Sequence, residues 1–153
     1  MMGFSNRLLR SIESYQYHRA RRGPWHGLMR KIARARHVVR SVMTQSDIAP
    51  EAKLGRGLML PHPNGVVIHE DAVIGDDCMI MQQVTIGMIG EDCVPRLANN
   101  VYVGAGAKII GKVEIGNGAR IGANAVVTKD VPANFTAIGI PARLLEREKG
   151  FRG

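Results

Sequence analysis

The sequence predicts a mainly β protein, a triangular solenoid of six-residue repeats, preceded by a short basic α-helical arm. Three observations carry this. Aliphatic residues recur at steps of six between Ile48 and Val127. Glycine is plentiful at 18 residues while aromatic residues make up only 5% of the chain, so a core must be built from Ile, Leu, Val and Ala. Charge is also divided unevenly. Residues 1–45 carry ten Lys or Arg against one acid, Glu13, whereas the rest carries eleven basic and twelve acidic residues. The net charge of +8 therefore belongs to the arm, and the body is close to neutral.

The bulk properties exclude several classes. A length of 153 residues suits one folded unit. With 45% hydrophobic and 22% charged residues, the chain is neither wholly disordered nor collagen-like. No run approaches the roughly 18 apolar residues needed to span a bilayer, and no apolar leader follows Met1-Met2. Two cysteines do not make a disulfide framework. A soluble, cytoplasmic protein is the expectation.

In the arm, Phe4, Leu8, Ile12 and Tyr15 recur at helical spacing. After the breaker Gly23-Pro24, a second stripe runs through Leu28, Ile32, Ala35, Val39 and Val42, with Arg30, Lys31, Arg34 and Arg40 beside it. Two amphipathic helices are expected. Two roles for them stand. Either the stripes pack on the body or on a neighbouring subunit and leave the arginines in water, or the basic surface meets anionic lipid at the inner face of a membrane. No recognised fold motif or aromatic platform accompanies the charge, so nucleic acid is not an expected partner.

The repeat anchors are Ile48, Leu54, Leu60, then Ile68, Ile74, Ile80, Ile86, then Leu97, Val103, Ile109, Ile115, Ile121 and Val127. Ten of the twelve steps are six residues, a period that neither a helix nor a simple strand produces. Four positions after most anchors stands a small or modest apolar residue, as at Ala52, Ala72, Cys78, Val84, Val101, Ala107, Val113, Ala119 and Ala125. Glycine often follows the anchor directly, as at Gly55, Gly75, Gly104 and Gly122. Each hexad is one flat side with its anchor inward, three sides make a coil, and stacked coils bury one aliphatic column that no single coil buries alone. The interruptions at 61–67 and 87–96 are expected to be loops leaving the prism, where chemistry is usually carried. The boundaries expected are arm 1–45, solenoid 46–136 and tail 137–153, with the prism folding without the arm.

The hexapeptide pattern resembles the acyltransferases built on a left-handed parallel β-helix. The segment DIAPEAKLGRGLMLPHPNG (47–65) is similar to the serine acetyltransferase branch, as are QQVTIG (82–87), VGAGAKIIGKVEIGNGARIGANAVV (103–127) and AIGIPAR (137–143). The resemblance implies an O-acetyltransferase that uses acetyl-CoA, assembled as a homotrimer or dimer of trimers, with the donor lying between neighbouring prisms.

Acetyl transfer to a hydroxyl needs a base, and His62, flanked by Pro61 and Pro63, is the candidate, since an ordinary imidazole is largely neutral at pH 7. Asp47 is expected to stack beneath that loop and orient the ring, and the resembling family has such a pair at the same separation. The alternative is that Asp47 caps a turn and His62 is a surface histidine. The resemblance places Gly104, Ala105, Gly122 and Ala123 along the pantetheine, with Arg120 and Arg143 near the CoA phosphates. Each of these small residues also suits the repeat itself. Gln83 and Thr85 are candidates for the mouth of the acceptor groove. His69, following an anchor, is expected to face solvent, and Cys78 to be inert core. No metal is expected, because the body offers only His62 and His69 where a zinc site needs more converging ligands.

The second loop departs from the family. Where serine acetyltransferases read Asp-Arg-His-Pro-Lys, with the Arg gripping the serine carboxylate, this chain has Asp92, Cys93, Val94, Pro95 and Arg96. Losing a fixed cation removes the main orienting contact for an amino acid. The primary expectation is thus a changed acceptor, a sugar or polysaccharide-precursor hydroxyl, with Asp92 and Arg96 as the remaining polar candidates. A short-form serine O-acetyltransferase is the alternative, and a non-catalytic trimeric scaffold a third reading.

Overall fold

The computed structural model describes residues 2–90 and 93–146. Two helices, α1 (Met2–Arg19) and α2 (Pro24–Thr44), precede the strands. Gly23 (φ 126°) and Pro24 end one helix and start the next, and Gln45 closes α2 in the left-handed region, its N–H donating to Val42 O.

The strands are short and fall into coils. The first coil holds β1 (Asp47–Ile48) and β2 (Lys53–Leu54), its third side continuing through an isolated bridge from Met59 to Met79. The second holds β3 (Val67–Ile68), β4 (Val73–Ile74) and β5 (Met79–Ile80), and the third β6 (Thr85–Gly87), β7 (Arg96–Leu97) and β8 (Tyr102–Val103). Then come β9 (Lys108–Ile110), β10 (Glu114–Ile115), β11 (Arg120–Ile121), β12 (Val126–Val127), β13 (Phe135–Ile138) and β14 (Arg143–Glu146). Every third strand pairs in parallel, giving sides ordered β1-β3-β6-β9-β12, β2-β4-β7-β10 and β5-β8-β11-β13, with β14 added antiparallel to β13. This is the expected parallel β-helix of about four coils behind a helical arm.

Of the thirteen anchors, all but Leu54 are buried, and Leu54 packs against the same core. The small residues four positions on are buried as well, Cys78 among them, its thiol pushed up by burial. The register continues past Val127 through Val131 and Ala137, both buried. Corners are tied by side chains as well as backbone. The N–H of Arg56 donates to Asp76 Oδ1 (2.7 Å), that of Asp76 to Asn99 Oδ1 (2.8 Å), and that of Asn99 to Asn117 Oδ1 (2.9 Å). Each coil thus satisfies an orphan donor of the one before it.

The arm splits the two expected roles. Leu8, Ile12 and Tyr15 of α1 are buried, and Leu8 and Ile12 join the solenoid's own core cluster. The side chain of Phe4 lies outside the description. Tyr15 donates to Glu51 (2.7 Å), and Gln16 Nε2 donates to the carbonyls of Pro50 (3.1 Å) and Ala52 (2.8 Å). For α2 the expected packing on the body is overturned. Leu28, Ile32, Val39 and Val42 are exposed, and the inward face is Ala33, His37 and Thr44. Hydrogen bonding decides this orientation. His37 Nε2 lies 2.8 Å from Ile48 O, Thr44 Oγ1 2.8 Å from Ser46 Oγ, and Arg40 donates to Arg7 O. A small residue and polar groups allow the helix to sit close, and its apolar stripe is turned outward.

Candidate active site

The first loop, between Leu60 and β3, carries His62, which is exposed. Its far end is fixed by two backbone bonds to the start of the solenoid, Gly65 N–H to Gln45 O (2.6 Å) and Asp47 N–H to Val66 O (2.8 Å). The loop that holds His62 is therefore laid beside the strand that holds Asp47. Among the described residues, however, no hydrogen bond joins the Asp47 carboxylate to the His62 ring. Beneath β1, burial lowers the imidazole pKa of His37, and the Ile48 carbonyl, Glu51 and Asp47 partly oppose it.

Above the first loop, one corner of the prism rises coil by coil. Gln83 (φ 58°) sits over Gly65 and donates its N–H to Asn64 O (2.9 Å). Gly104 and Ala105 follow, where Gly106 donates to Gln82 O (2.9 Å), and then Gly122 and Ala123, where Asn124 donates to Ala105 O (2.8 Å). A Cβ on Gly104 would meet the Ala123 nitrogen at 2.7 Å, so stacking alone already forbids a side chain there. The result is an edge on which Gln82 and Gln83 stand above the His62 loop and the small residues Gly104-Ala105 and Gly122-Ala123 continue it.

The other candidates lie on the flat sides. Thr85 pairs with Val67, which pairs with Asp47, so Asp47 and Thr85 share one face two strands apart, about 10 Å by strand spacing. Lys108, next in that row, donates to Gln83 O (2.6 Å). Arg120 lies on another side in β11, its guanidinium 5.8 Å from the Tyr102 ring. Arg143 opens β14 opposite Ile138, the residue that lies against Gly122. Arg96 is in β7 between Val73 and Glu114, on a side of the prism different from that of Asp47. Asp92 lies outside the described residues. Cys93 is half-buried, with its carbonyl accepting from Ile89 N–H (3.3 Å).

Two histidines hold more than sequence reasoning assigned them. His37 lines, with Asp47, Ser41, Gln45 and Val67, a cleft of about 510 Å³ between α2 and the first coil. His69 is half-buried, accepts the Asp71 N–H at Nδ1 (3.2 Å), and shares with Asp47 and Val67 a second cleft of about 270 Å³. The parallel register that brings position 69 beside position 49, two residues from Asp47, follows once the eight-residue step after Leu60 is counted, so that signal was available. The burial of His37 was not, because it depends on how α2 docks.

Residues 95–129 match the model of the bacterial transferase hexapeptide family (six repeats). The serine acetyltransferase of Salmonella typhimurium strain LT2 is 51% identical over 108 residues, covering 69% of this chain and 40% of that protein. The serine acetyltransferase of Helicobacter pylori strain J99 is 45% identical over 121 residues, covering 77% of this chain. Among solved structures, soybean serine acetyltransferase complexed with serine matches at 38% identity and a TM-score of 0.74, over 88% of this chain and 56% of that one. Serine acetyltransferase from Brucella abortus strain S19 in complex with coenzyme A matches at 35% identity and a TM-score of 0.75, over 89% and 54%. The chain spans under half the length of the first relatives it matches, 40% and 45% of the Salmonella and Synechococcus proteins. It spans 71% of the shorter Helicobacter protein, and on that extent of shared sequence the chain belongs to the serine acetyltransferase family.

Proposed function

We propose that this chain is an acetyl-CoA-dependent O-acetyltransferase, with serine as the acceptor and His62 as the base. The observation that carries the reading is the prism corner on which the His62 loop, Gln83, Gly104-Ala105 and Gly122-Ala123 follow one another coil by coil. An extended pantetheine needs a long, shallow track of small residues that leads toward the reacting centre, and Gly104-Ala105 and Gly122-Ala123 supply that stretch of the edge. Arg120 and Arg143, both from the coils at the far end, would meet the phosphates there. A relative's structure that holds coenzyme A supports the same donor.

His62 takes the hydroxyl proton as the oxygen attacks the thioester carbonyl, and the tetrahedral adduct then collapses to ester and thiol, the proton passing to the departing sulfur. Asp47 is on the strand to which the loop is bonded, where its carboxylate would meet the ring. As an imidazolium forms, that carboxylate would stabilise it. Relatives matched across the His62 segment are serine acetyltransferases, and one solved structure carries serine, which supports serine over the sugar acceptor expected from the second loop. One observation favours a sugar as a second reading: Cys93 and Val94 offer no cation to a carboxylate, and Arg96 is on another side of the prism. A homotrimer resolves the separation, since packing prisms side by side brings the Asp47 side of one copy toward a different side of its neighbour.

The test is thiol release from acetyl-CoA by the full chain, offered L-serine and, separately, a panel of sugars. Release with serine, lowered at least a hundredfold in His62→Ala with CoA binding retained, is the expected outcome. Release with a sugar alone establishes the second reading. Retained turnover in His62→Ala overturns the base, and absence of CoA binding overturns the reaction.

A further inference from the structure

We propose that α2 docks the protein onto an anionic membrane surface, lying in the interface with its outward stripe among the headgroups. The stripe is the one that the sequence marked and the fold left uncovered. Leu28, Ile32, Val39 and Val42 are 52%, 41%, 59% and 73% exposed, at spacings of four, seven and three that keep one helical face. Trp25 (64% exposed) precedes them and Met43 (61% exposed) follows. From Leu28 to Val42 the apolar face runs about 21 Å, at roughly 1.5 Å per residue. Isolated exposed aliphatics need no explanation, but a continuous stripe on one helix does.

Charge decides what covers it. Helix α2 contains no acidic residue, and Lys31 and Arg36 flank the stripe, one on each border, at about 100° per residue. An apolar face bordered by cations, with an aromatic at one end, is the make-up of a helix that lies flat in an anionic interface. A second copy set face to face would bring the same cations together with no carboxylate on either helix to receive them. The opposite face of α2 is fixed to β1 by His37 and to α1 by Arg40, so the helix need not leave the body in order to bind. None of the described helices is long and apolar enough to cross a membrane, so the contact is peripheral.

Trp25 is the only tryptophan in the chain and stands at the end of the stripe, so its emission reports this surface directly. The full chain is mixed with vesicles of phosphatidylcholine containing 30% phosphatidylglycerol, and with vesicles of phosphatidylcholine alone, at low and at high salt. The expected result is a blue shift and co-flotation with the anionic vesicles, weakened at least tenfold by high salt or by neutral lipid. Val39→Glu and, separately, the pair Lys31→Glu and Arg36→Glu each abolish it while leaving the thermal melt in place. Absence of binding at low salt overturns the proposal, as does equal binding to neutral vesicles. A Val39→Glu change that lowers the sedimenting mass overturns it too, because the stripe is then an interface between copies. The readout needs no catalysis, so failure here is distinct from failure of the proposed reaction.

Discussion

At the scale of single residues, His37 shows what the arm hides. Its ring lies between Ile48 O at 2.8 Å and Ser11 Oγ at 3.3 Å, with Ser41 Oγ also 3.3 Å from Nε2. Burial, with Arg34 nearby, holds its pKa below the usual 6.5, against the partial opposition of the Ile48 carbonyl, Glu51 and Asp47. The folded state therefore binds a proton less readily than the unfolded chain. Stability from this group is full above about pH 6.5 and declines as pH falls below it, because the unfolded state gains protons that the native ring refuses. Melting temperatures of the native protein and His37→Gln, taken at pH 7.5 and 5.0, should show the steeper loss in the native protein, and parallel losses would refute the assignment. Asp47 and His62 sit in one ungapped segment, and the fold bonds the end of the His62 loop to the start of β1, but among the described residues no hydrogen bond joins the two side chains. Gly104 was legible only in part, since the glycine that suits a donor's close approach is equally demanded by the nitrogen of Ala123 stacked above it.

At the scale of elements, the six-residue period placed the strands almost residue by residue, because each anchor must point inward in a coil this narrow. The helices were a different matter. Periodicity found both stripes but carries no statement about which side meets the body, and the two helices answer differently. Helix α1 buries its stripe on the end of the solenoid. Helix α2 makes its contacts through polar atoms and leaves its stripe in solvent. The expectation that the prism folds without the arm weakens accordingly, since Leu8 and Ile12 belong to the same core cluster as Ile48 and Ala52. Removal of residues 1–44 is expected to lower the melting temperature and to promote aggregation, followed by light scattering during a thermal ramp. An unchanged melt would mean that α1 adds nothing to the column. Losing two fully buried aliphatic side chains from an interface of this kind costs about 3–6 kcal/mol.

At the scale of the whole molecule, a parallel column supported by its neighbours has no independent centre, and stability is nearly a sum of coils and the contacts between them. Ile109 lies in the middle of that column, fully buried, and pairs across to Ile86 and Val127. Ile109→Ala is expected to cost about 2–5 kcal/mol, read from urea denaturation, whereas the same change at half-exposed Leu144 on the last strand should cost well under that. The loops were located by interruptions in the period, but their chemistry depends on which sides of the prism they overhang, and that follows only from stacking. Arg96 illustrates this: its neighbours in sequence place it by Cys93, while its neighbours in space are Val73 and Glu114.

The repeating corner has a metric consequence. Successive coils advance by one strand spacing, about 4.8 Å. The separation between the His62 loop and the Arg120–Arg143 end is therefore set by an integer, the number of coils between them. A donor spanning that edge is measured against a scale marked in steps of one strand. Excising or inserting eighteen residues at a coil would move the two ends relative to one another by a single graduation without altering either, so in this architecture the reach of a substrate can be retuned by counting, with no residue of the site replaced.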